Sequence, residues 1–240
     1  MEKTVKVRLT FQDDVLGTLS PDQDVFKDYI ATKNPNNTAE QAAEEASSLS
    51  EEAKEMSEEE RKPITTFARM DVNGEKVPAI YGYVLKGMFK NAASALSKCD
   101  GTISCNLTAF KKNIDQLIFV NRISPLVLPD PSVYKDGLLP ILTRPLRAET
   151  AQGPRVALAS SEYCPAGTSI EFEITALNDT MFAAAFEWLN YGKYNGIGCW
   201  HNSGKGTFTY EVIEGKDLVP DIVGFAAKMP KKRKKPTTAE

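Results

Sequence analysis

The chain has 240 residues, 42% of them hydrophobic and 25% charged, which is ordinary for a soluble globular protein. No apolar run approaches the roughly 20 residues that a membrane-spanning helix needs, so we expect no membrane partner. The formal net charge of −3 hides a strong asymmetry, because residues 40–62 carry a surplus of glutamate and leave the rest of the chain net positive. Whole-chain charge therefore does not exclude a nucleic-acid partner.

The N-terminal residues and the cysteines both favour the cytoplasm. The N-terminal residues alternate charged and apolar side chains, which is typical of a strand and not of a signal peptide. The four cysteines are scattered without a C-x-x-C pair, and the single histidine, His201, cannot complete a zinc site with them. We therefore expect a cytoplasmic protein with reduced thiols, no metal and no cofactor.

Residues 3–62 divide into a strand, a helix and an acidic stretch. Lys3–Phe11 alternates apolar and polar side chains and is predicted to be a strand, followed by a turn at Leu16-Gly17-Thr18. Ser20-Pro21 is typical of the cap and first position of a helix. Residues 38–62 are rich in Ala, Glu and Ser and are interpreted as an acidic insertion that can bury little.

The next segment has the pattern of a hairpin followed by two helices. Strands predicted over 66–70 and 77–83 flank Asn73-Gly74, a dipeptide that strongly favours a two-residue hairpin turn. The period then becomes helical, because six apolar side chains from Leu85 to Leu96 share one face. A short helix and a strand are predicted over 110–120.

The second half of the chain continues the mixture of strands and helices. Residues 121–142 are rich in proline and are predicted to be irregular. Further strands are predicted over 155–159, 169–177 and 207–213, and a helix over 180–189 capped by Asp179. Because the elements mix without a regular βαβ rhythm, we predict an α+β fold with a mostly antiparallel sheet.

A glycine-rich loop precedes the last of these strands and is the strongest indication of a binding surface. Gly192, Gly196, Gly198, Gly204 and Gly206 lie within 15 positions. Glycines this dense allow positive φ angles and the close approach of another backbone. Cationic and aromatic side chains that suit the phosphates and bases of a single-stranded nucleic acid lie among or beside them, namely Tyr191, Lys193, Tyr194, Trp200 and Lys205.

Two familiar nucleotide-binding motifs do not fit this loop. A dinucleotide-binding fingerprint needs the order strand, glycines, helix, whereas here a helix precedes the glycines and a strand follows them. The P-loop spacing does not occur in the sequence. The alternative to a binding loop is a wide connection whose glycines only turn the chain.

Two further segments have features that suit phosphates. Val77–Gly87 opens a helix with Lys86 and a glycine, where free N–H groups and the positive end of the helix dipole favour an anion. Arg144, Arg147 and Arg155 are interleaved with threonine and glutamine, a pattern that an exposed polar hairpin explains equally well. Neither segment by itself indicates a function.

In combination these motifs resemble the RAMP superfamily, the ferredoxin-like RNA-binding subunits of CRISPR effector complexes. The matching segments follow the family's order along most of the chain: Val77–Gly87, Pro165–Ile174, Gly196-Ile197-Gly198 and 203–206. Ala79, Tyr81 and Tyr83 replace the small residues usual before Lys86, and the acidic insertion is foreign to the family's pattern. The resemblance is greatest to the backbone-type subunits that polymerise along a guide RNA.

The resemblance implies an α+β, ferredoxin-like (RRM-like) antiparallel sheet with helices on one face, elaborated by insertions. It implies one domain over 1–229, with insertions at about 38–62 and 121–142, and a flexible basic tail over 230–240. The implied partners are a single-stranded guide RNA, copies of the chain and other effector subunits of an antiviral assembly. The predicted RNA-binding residues are Tyr81, Lys86, Arg144, Arg147, Arg155, Lys193, Gly196, Gly198, Trp200, His201, Gly204, Lys205 and Gly206.

Catalysis is not indicated by the residue pattern. Some members of the family cleave RNA by general acid–base chemistry, and His201, Asp13, Asp14 and Asp71 are the candidates for such a role. Carboxylates in surface turns are common, however, and one histidine cannot assemble a Ser/His/Asp, Cys/His or metal–carboxylate group. We therefore expect a non-catalytic RNA-binding protein.

Two alternatives belong to other functional classes. A single-stranded DNA-binding protein of a mobile element's recombination machinery would use the same cationic and aromatic groups. A self-assembling structural protein would instead pair its acidic insertion with the basic tail of a neighbour. The tail, Pro230–Pro236, is interpreted as a polybasic nucleic-acid arm, with a nuclear localisation signal or an added tag as the alternatives.

Overall fold

The computed structural model describes residues 2–20, 64–134, 137–150, 153–220, 222–223 and 226–227. For 145–150 and 153–158 the description covers the backbone alone. The helix expected after Ser20, the acidic insertion at about 38–62 and the basic tail over 230–240 lie outside the described residues. None of the described helices combines the length and apolar character that crossing a bilayer requires.

Strands dominate the described part of the chain, and three helices lie between them. In chain order the elements are β1 (Lys3–Phe11), β2 (Val15–Leu16), β3 (Ile64–Thr65), β4 (Ala68–Val72), β5 (Glu75–Tyr81), α1 (Gly82–Leu96), α2 (Phe110–Leu117), β6 (Ile118–Val120), β7 (Ile123–Val127), β8 (Ile141–Thr150), β9 (Gly153–Cys164), β10 (Ser169–Ala176), α3 (Asp179–Asn195), β11 (Phe208–Glu214), β12 (Ile222–Val223) and β13 (Ala226–Ala227).

The main sheet has the strand order β11-β1-β10-β7-β5-β4, with β6 pairing β10 beside β7. Every pair in it is antiparallel. The succession β1, α1, β6/β7, β10, α3, β11 is a ferredoxin-like βαββαβ unit whose second strand is divided into β6 and β7. The hairpin of β4 and β5 extends the sheet at the β7 edge. The predicted α+β, ferredoxin-like fold is therefore confirmed.

The alternation of β1 places its apolar side chains in the core. Val5, Val7, Leu9 and Phe11 are each at most 1% exposed. They face helices α1 and α3, whose own apolar stripes are buried against the same layer, with the rings of Phe89 and Trp188 in contact between the helices. Both the strand and the apolar face of α1 agree with the sequence prediction.

The hairpin turn before α1 is confirmed, but the helix begins earlier than predicted. Asn73 and Gly74 both have positive φ, as a two-residue type I′ turn requires. The strand predicted to end at Tyr83 ends at Tyr81, and α1 starts at Gly82. The connection between β6 and β7 approaches this start closely and requires glycine there, because a Cβ on Gly82 would lie 2.2 Å from the carbonyl oxygen of Asn121.

Helix α3 differs from its prediction at both ends. Asp179 is not its cap: the Asn178 side chain accepts a hydrogen bond from the Met181 N–H at 2.8 Å, and Asp179 lies in the first turn, paired with Lys3. The helix continues past the predicted Leu189 to Asn195. Gly192 therefore belongs to the helix and not to the loop.

Two turn or loop predictions are wrong because the segments pair with distant strands. Residues 121–142 were expected to be irregular, yet Ile123–Val127 forms β7 between β5 and β10. Pro125 lacks an N–H, and it is tolerated because β7 pairs with β10 only through Leu126 and Val127. Likewise Leu16 does not begin a turn but forms β2 with Val15 and pairs with β9.

A second, smaller sheet is built on β9. Strand β8 pairs with β9 along the whole length of β8, whereas β2 and β3 pair only with the last residues of β9, 160–164. At this base a buried ion pair joins Arg69 to Glu162 at 2.7 Å, and Glu162 also accepts the Phe67 N–H. The hairpin β8–β9 is thus anchored at one end, where it meets the core and the glycine-rich loop.

Candidate nucleic-acid interface

The glycine-rich loop, residues 196–207, has the backbone geometry that its sequence predicts. Gly196, Gly198, Gly204 and Gly206 all have positive φ angles. A Cβ on Gly206 would lie 1.9 Å from the Ile197 carbonyl oxygen, and one on Gly198 would lie 2.8 Å from the Leu16 carbonyl oxygen. The expected close approach of backbone is therefore confirmed at these two positions. Gly204 differs, because its missing side chain leaves open space.

Backbone hydrogen bonds fix the two ends of the loop against each other and against the turn between β1 and β2. The Ile197 N–H donates to the Gly206 carbonyl at 2.9 Å, and the Gly206 N–H donates to the Asp14 carbonyl at 2.8 Å. Within the loop, Nδ1 of His201 lies 2.9 Å from the carbonyl oxygen of Asn195. The imidazole is thus oriented by the end of α3, with its other nitrogen directed away from that contact.

Lys205 is held by two carboxylates. Its Nζ donates to Asp13 at 2.9 Å and to Asp14 at 2.7 Å. The hydrogen bond from Lys205 lowers the pKa of Asp13, and the reciprocal bonds, with Asp14 first, raise the pKa of Lys205. This cation was expected to meet RNA phosphates, but in the structure it pairs with the two carboxylates of the turn after β1.

An open cleft of about 190 Å³ lies between the first turns of α1 and the glycine-rich loop. We call it the loop cleft, and its lining residues are Thr18, Tyr83, Val84, Gly87, Met88, Asn91, Ile197, Gly198 and His201. Neutral polar groups, including a hydroxyl, an amide and an imidazole, share it with apolar side chains. No carboxylate is among these lining residues. Two segments that the sequence separates by more than 100 positions, 83–91 and 197–201, thus form one site.

Of the lining residues, only Gly198 and His201 are among the predicted RNA-binding residues, and the polar residues that the sequence analysis missed are Thr18, Tyr83 and Asn91. For two of them a signal exists, because Tyr83, Gly87 and Asn91 are four positions apart and therefore share one face of α1. This polar and glycine stripe runs beside the apolar face of α1. Thr18 carries no such signal, since long-range contacts on both sides of it determine its position: the pairing of β2 with β9 and the bridge between Leu19 and Thr66.

Arg144 and Trp200 are brought together at the base of the β8–β9 hairpin. The guanidinium carbon of Arg144 lies 5.0 Å from the centre of the Trp200 indole, close enough for a cation–π contact. Arg144 is 7% exposed, and its Nη1 donates to Ser161 Oγ at 3.0 Å. Burial raises the pKa of the Cys199 thiol, and the neighbouring charge of Arg144 opposes that shift.

Three other predicted residues lie away from the loop cleft, namely Lys86, Lys193 and Tyr81. Lys86 points toward α2, where its Nζ donates to the Asp115 carbonyl and lies over the Phe119 ring, and burial lowers its pKa. Lys193 lies on α3 over the ring of Tyr210.

Tyr81 is 6% exposed and stacks on Tyr83, and burial raises its pKa to about 12. Its ring is therefore not presented for stacking on a base, and the physical reason is that it ends β5 inside a small apolar cluster. For Arg147 and Arg155 the structure gives only backbone positions, opposite Val156 and Ala148 on the hairpin. Whether any of these residues contacts RNA stays a prediction.

The open face of the main sheet carries paired charges. Arg8 bonds to Glu171 at 2.6 Å and to Glu211 at 2.8 Å, and Lys6 lies between Glu171 and Glu214. Arg8 lowers the pKa of Glu171 through the hydrogen bond that joins them. An RRM presents aromatic rings on this face for bases to stack on. Here β1 and β10 present ion pairs instead, which favours the loop cleft over the sheet as the interface.

The candidate catalytic groups have structural partners. Asp13 and Asp14 bind Lys205, and the Asp71 carboxylate accepts the Gly74 N–H of the hairpin turn at 2.9 Å. His201 contacts a carbonyl oxygen, and no carboxylate is within hydrogen-bond distance of it in the described part of the chain. Among the described residues no group of His, Cys, Asp and Glu side chains could hold a metal ion.

Comparison with known proteins gives weak likenesses to solved structures only. No family model and no curated protein matches the chain. A chain of the type III-B Cmr-beta complex bound to cognate target RNA is 12% identical, with a TM-score of 0.43 over 88% of this chain. A chain of a type IV-B CRISPR complex is 13% identical, with a TM-score of 0.45 over 89% of this chain and 92% of its own length. The protein spans 60% of the length of the type III-B chain. Likenesses of this size carry no argument about activity or partners.

Proposed function

We propose that the protein binds single-stranded RNA in the loop cleft, as a non-catalytic subunit that lies beside copies of itself along a guide strand in a CRISPR-type effector assembly. One observation carries the proposal: the loop cleft joins two of the segments that resemble the RAMP motifs, Val77–Gly87 and the glycine-rich loop. Glycine-lined backbone admits a nucleic-acid chain closely, and neutral polar groups suit the 2′-hydroxyls and base edges that distinguish RNA.

Electrostatics at the loop cleft are compatible with a polyanionic ligand. In the nearest acidic turn, Lys205 compensates one of the two charges of Asp13 and Asp14, which reduces the repulsion of phosphates passing the loop. The cleft itself offers hydrogen-bonding groups and an imidazole without a carboxylate. Cations outside the cleft, such as Lys86, would add attraction that falls with ionic strength.

The test is the binding of a fluorescently labelled single-stranded RNA by the full chain, measured by anisotropy over a range of salt. Affinity should fall with salt, with a slope of about −0.7 on logarithmic axes for each phosphate neutralised. Affinity that does not change between low and high salt would show the proposal to be wrong. An unlabelled DNA strand of the same sequence should compete less well, and equal or better competition would favour the DNA-binding alternative.

A matched pair of variants locates the site. Asn91 lines the cleft and Ser94 is exposed on the same helix outside it. Asn91→Leu should fill the cleft and lower RNA affinity about tenfold, whereas Ser94→Leu should leave affinity within about twofold. Equal affinities of the two variants would place the RNA elsewhere on the protein.

The non-catalytic and assembly parts of the proposal have their own tests. An end-labelled RNA incubated with the protein and Mg²⁺ should remain intact, and cleavage that is lost in Asp13→Asn would overturn this part. Multiple copies should assemble along a long RNA, which light scattering would detect as mass that grows with RNA length. If the protein assembles and its ultraviolet absorbance shows no bound nucleic acid, the alternative of a self-assembling structural protein would be supported instead.

A further inference from the structure

Among the arginines whose side chains the structure describes, two have buried side chains, and only one of these makes an ion pair with a described residue. Arg69, with a side chain 6% exposed, donates to Glu162 from both terminal nitrogens. Arg144 is buried to a similar degree and has no ion pair with any described residue. A guanidinium stays charged at every pH at which proteins are folded, and a buried charge without a counter-ion is strongly unfavourable. Within the described part of the chain, Arg144 therefore lacks the anion that Arg69 has.

The unsatisfied part of Arg144 has a definite geometry. Nη1 donates to Ser161 Oγ, while Nε is buried and has no hydrogen-bond partner among the described residues. Nε and Nη2 together form the edge of the guanidinium that binds carboxylates and phosphates through two parallel hydrogen bonds. The contact with Trp200 compensates only part of the charge, because a cation–π contact is weaker than a buried ion pair.

We propose that this edge of Arg144 is a subsite for one phosphate group of the bound strand. It rests on the proposed function for the source of the phosphate, which we take to be an internal phosphodiester. The position is suitable, since Arg144 lies at the base of the β8–β9 hairpin and Trp200 belongs to the glycine-rich loop that borders the loop cleft. A phosphate there would receive two charge-assisted hydrogen bonds.

Binding at this subsite requires Trp200 to move. Nε of Arg144 is closed to solvent, and the indole covers the guanidinium from the loop side. Trp200 has a positive φ of 63°, a conformation that costs an aromatic residue free energy and that the loop can release. Displacement of the indole would open the guanidinium edge and present the ring to a neighbouring base.

The first test uses inorganic phosphate and needs no RNA. The melting temperature of the full chain is measured with increasing phosphate, and with chloride at equal ionic strength. Phosphate should raise it by several degrees in a saturable manner, and the fluorescence of Trp200 should change over the same range. The Trp200→Phe variant should retain the thermal effect and lose that fluorescence change. Equal melting temperatures in phosphate and chloride would overturn the subsite.

Variants of Arg144 distinguish a binding role from a structural one. Arg144→Met should abolish the phosphate effect while its melting temperature in chloride equals or exceeds that of the unsubstituted protein, because an uncompensated buried charge has been removed. Lys112→Met, which removes an exposed charge on α2, should keep the phosphate effect. A phosphate effect that persists in Arg144→Met would also overturn the proposal.

RNA then identifies the source of the phosphate. Arg144→Met should lower affinity for single-stranded RNA about tenfold, equally for strands with a 5′-phosphate and with a 5′-hydroxyl. A loss confined to the 5′-phosphorylated strand would overturn the internal assignment in favour of a terminal phosphate. If the phosphate effect depends on Arg144 but no RNA binds to the unsubstituted protein, the subsite stands and the proposed function fails.

Discussion

At the scale of single residues, the glycine-rich loop shows two different uses of glycine. Gly206 is required by space as well as by its φ of +72°, because the Ile197 carbonyl oxygen occupies the position of a Cβ. Gly204 is required by its φ of +82° alone, since nothing lies near it. The first kind of glycine holds the loop to the fold, and the second only permits its turn.

The substitution Gly206→Ala tests this distinction. It should lower the free energy of unfolding by about 3 kcal/mol, because backbone has to shift as well as adopt a strained φ. Gly204→Ala should lower it by only about 1 kcal/mol, the cost of the left-handed conformation. Urea denaturation measures both values. Equal losses would mean that the tight contact between Gly206 and Ile197 does not exist in solution.

Lys205 makes the acid stability of the protein depend on one side chain. The pKa of Asp13 is lowered in the folded state, so its ion pair stabilises the fold above its unfolded pKa of about 4 and ceases to do so as pH falls through the lower folded value. Lys205→Met should therefore lose less stability on acidification than the unsubstituted protein does. The difference should be less than about 1 kcal/mol, because Asp13 is 43% exposed.

Urea unfolding at several pH values below neutrality measures this effect. Lys193→Met is the control, since it removes an equal charge that contacts the Tyr210 ring and no described carboxylate. The control should follow the unsubstituted protein on acidification. If Lys205→Met loses as much stability on acidification as the unsubstituted protein does, the ion pair of Lys205 with Asp13 and Asp14 does not form in solution.

At the scale of elements, the cap of α3 is a case where two adjacent residues have separate roles. Asn178→Ala removes the side-chain acceptor of the Met181 N–H and should cost about 1 kcal/mol at any salt concentration. Asp179→Asn removes only a charge near the helix start and its pairing with Lys3, so its cost should be smaller than that of Asn178→Ala and should disappear at high salt. Thermal unfolding at two salt concentrations separates them, and the reverse order would restore Asp179 as the cap.

Elements with a strong local signal were predictable, and elements defined by a distant partner were not. The alternation of Lys3–Phe11 and the Asn73-Gly74 turn require only their own residues. Strand β7 contains Pro125 and exists because β5 and β10 lie on either side of it. The short strand β2 likewise needs β9 as its partner. Sequence periodicity contains no information about such partners.

The motifs of the candidate site could be predicted from the sequence, but the partners of its charged side chains could not. The glycines of the loop and the face of α1 follow from local spacing, and the structure joins them. The partners of the cations depend on tertiary contacts: Lys205 meets Asp13, and Arg144 is buried beside Trp200. A basic residue identified by sequence type alone can therefore be a ligand contact or an internal counter-charge, and only the fold decides between them.

At the scale of the whole molecule, the two faces of the main sheet have separate roles. One face packs on α1 and α3, and the other is covered by a network of ion pairs around Arg8 and Glu171. Arg8→Ala should leave RNA affinity within about twofold, because its charge is already neutralised. The anisotropy of the labelled RNA, measured with Arg8→Ala and with Asn91→Leu under the same conditions, checks this expectation. A loss as large as that of Asn91→Leu would make the open sheet face part of the interface.

The position of β1 between β10 and β11 has a consequence for synthesis on the ribosome. Lys3–Phe11 leaves the ribosome before both of its partners, which lie about 160 to 200 positions later. At a translation rate of about 5–20 residues per second, the strand waits roughly ten seconds or more before either partner exists. During that time its unpaired edges and its row of Val5, Val7, Leu9 and Phe11 are open to other nascent chains. Chaperones that hold the N-terminal segment should therefore increase the yield of folded protein more than chaperones that act after release.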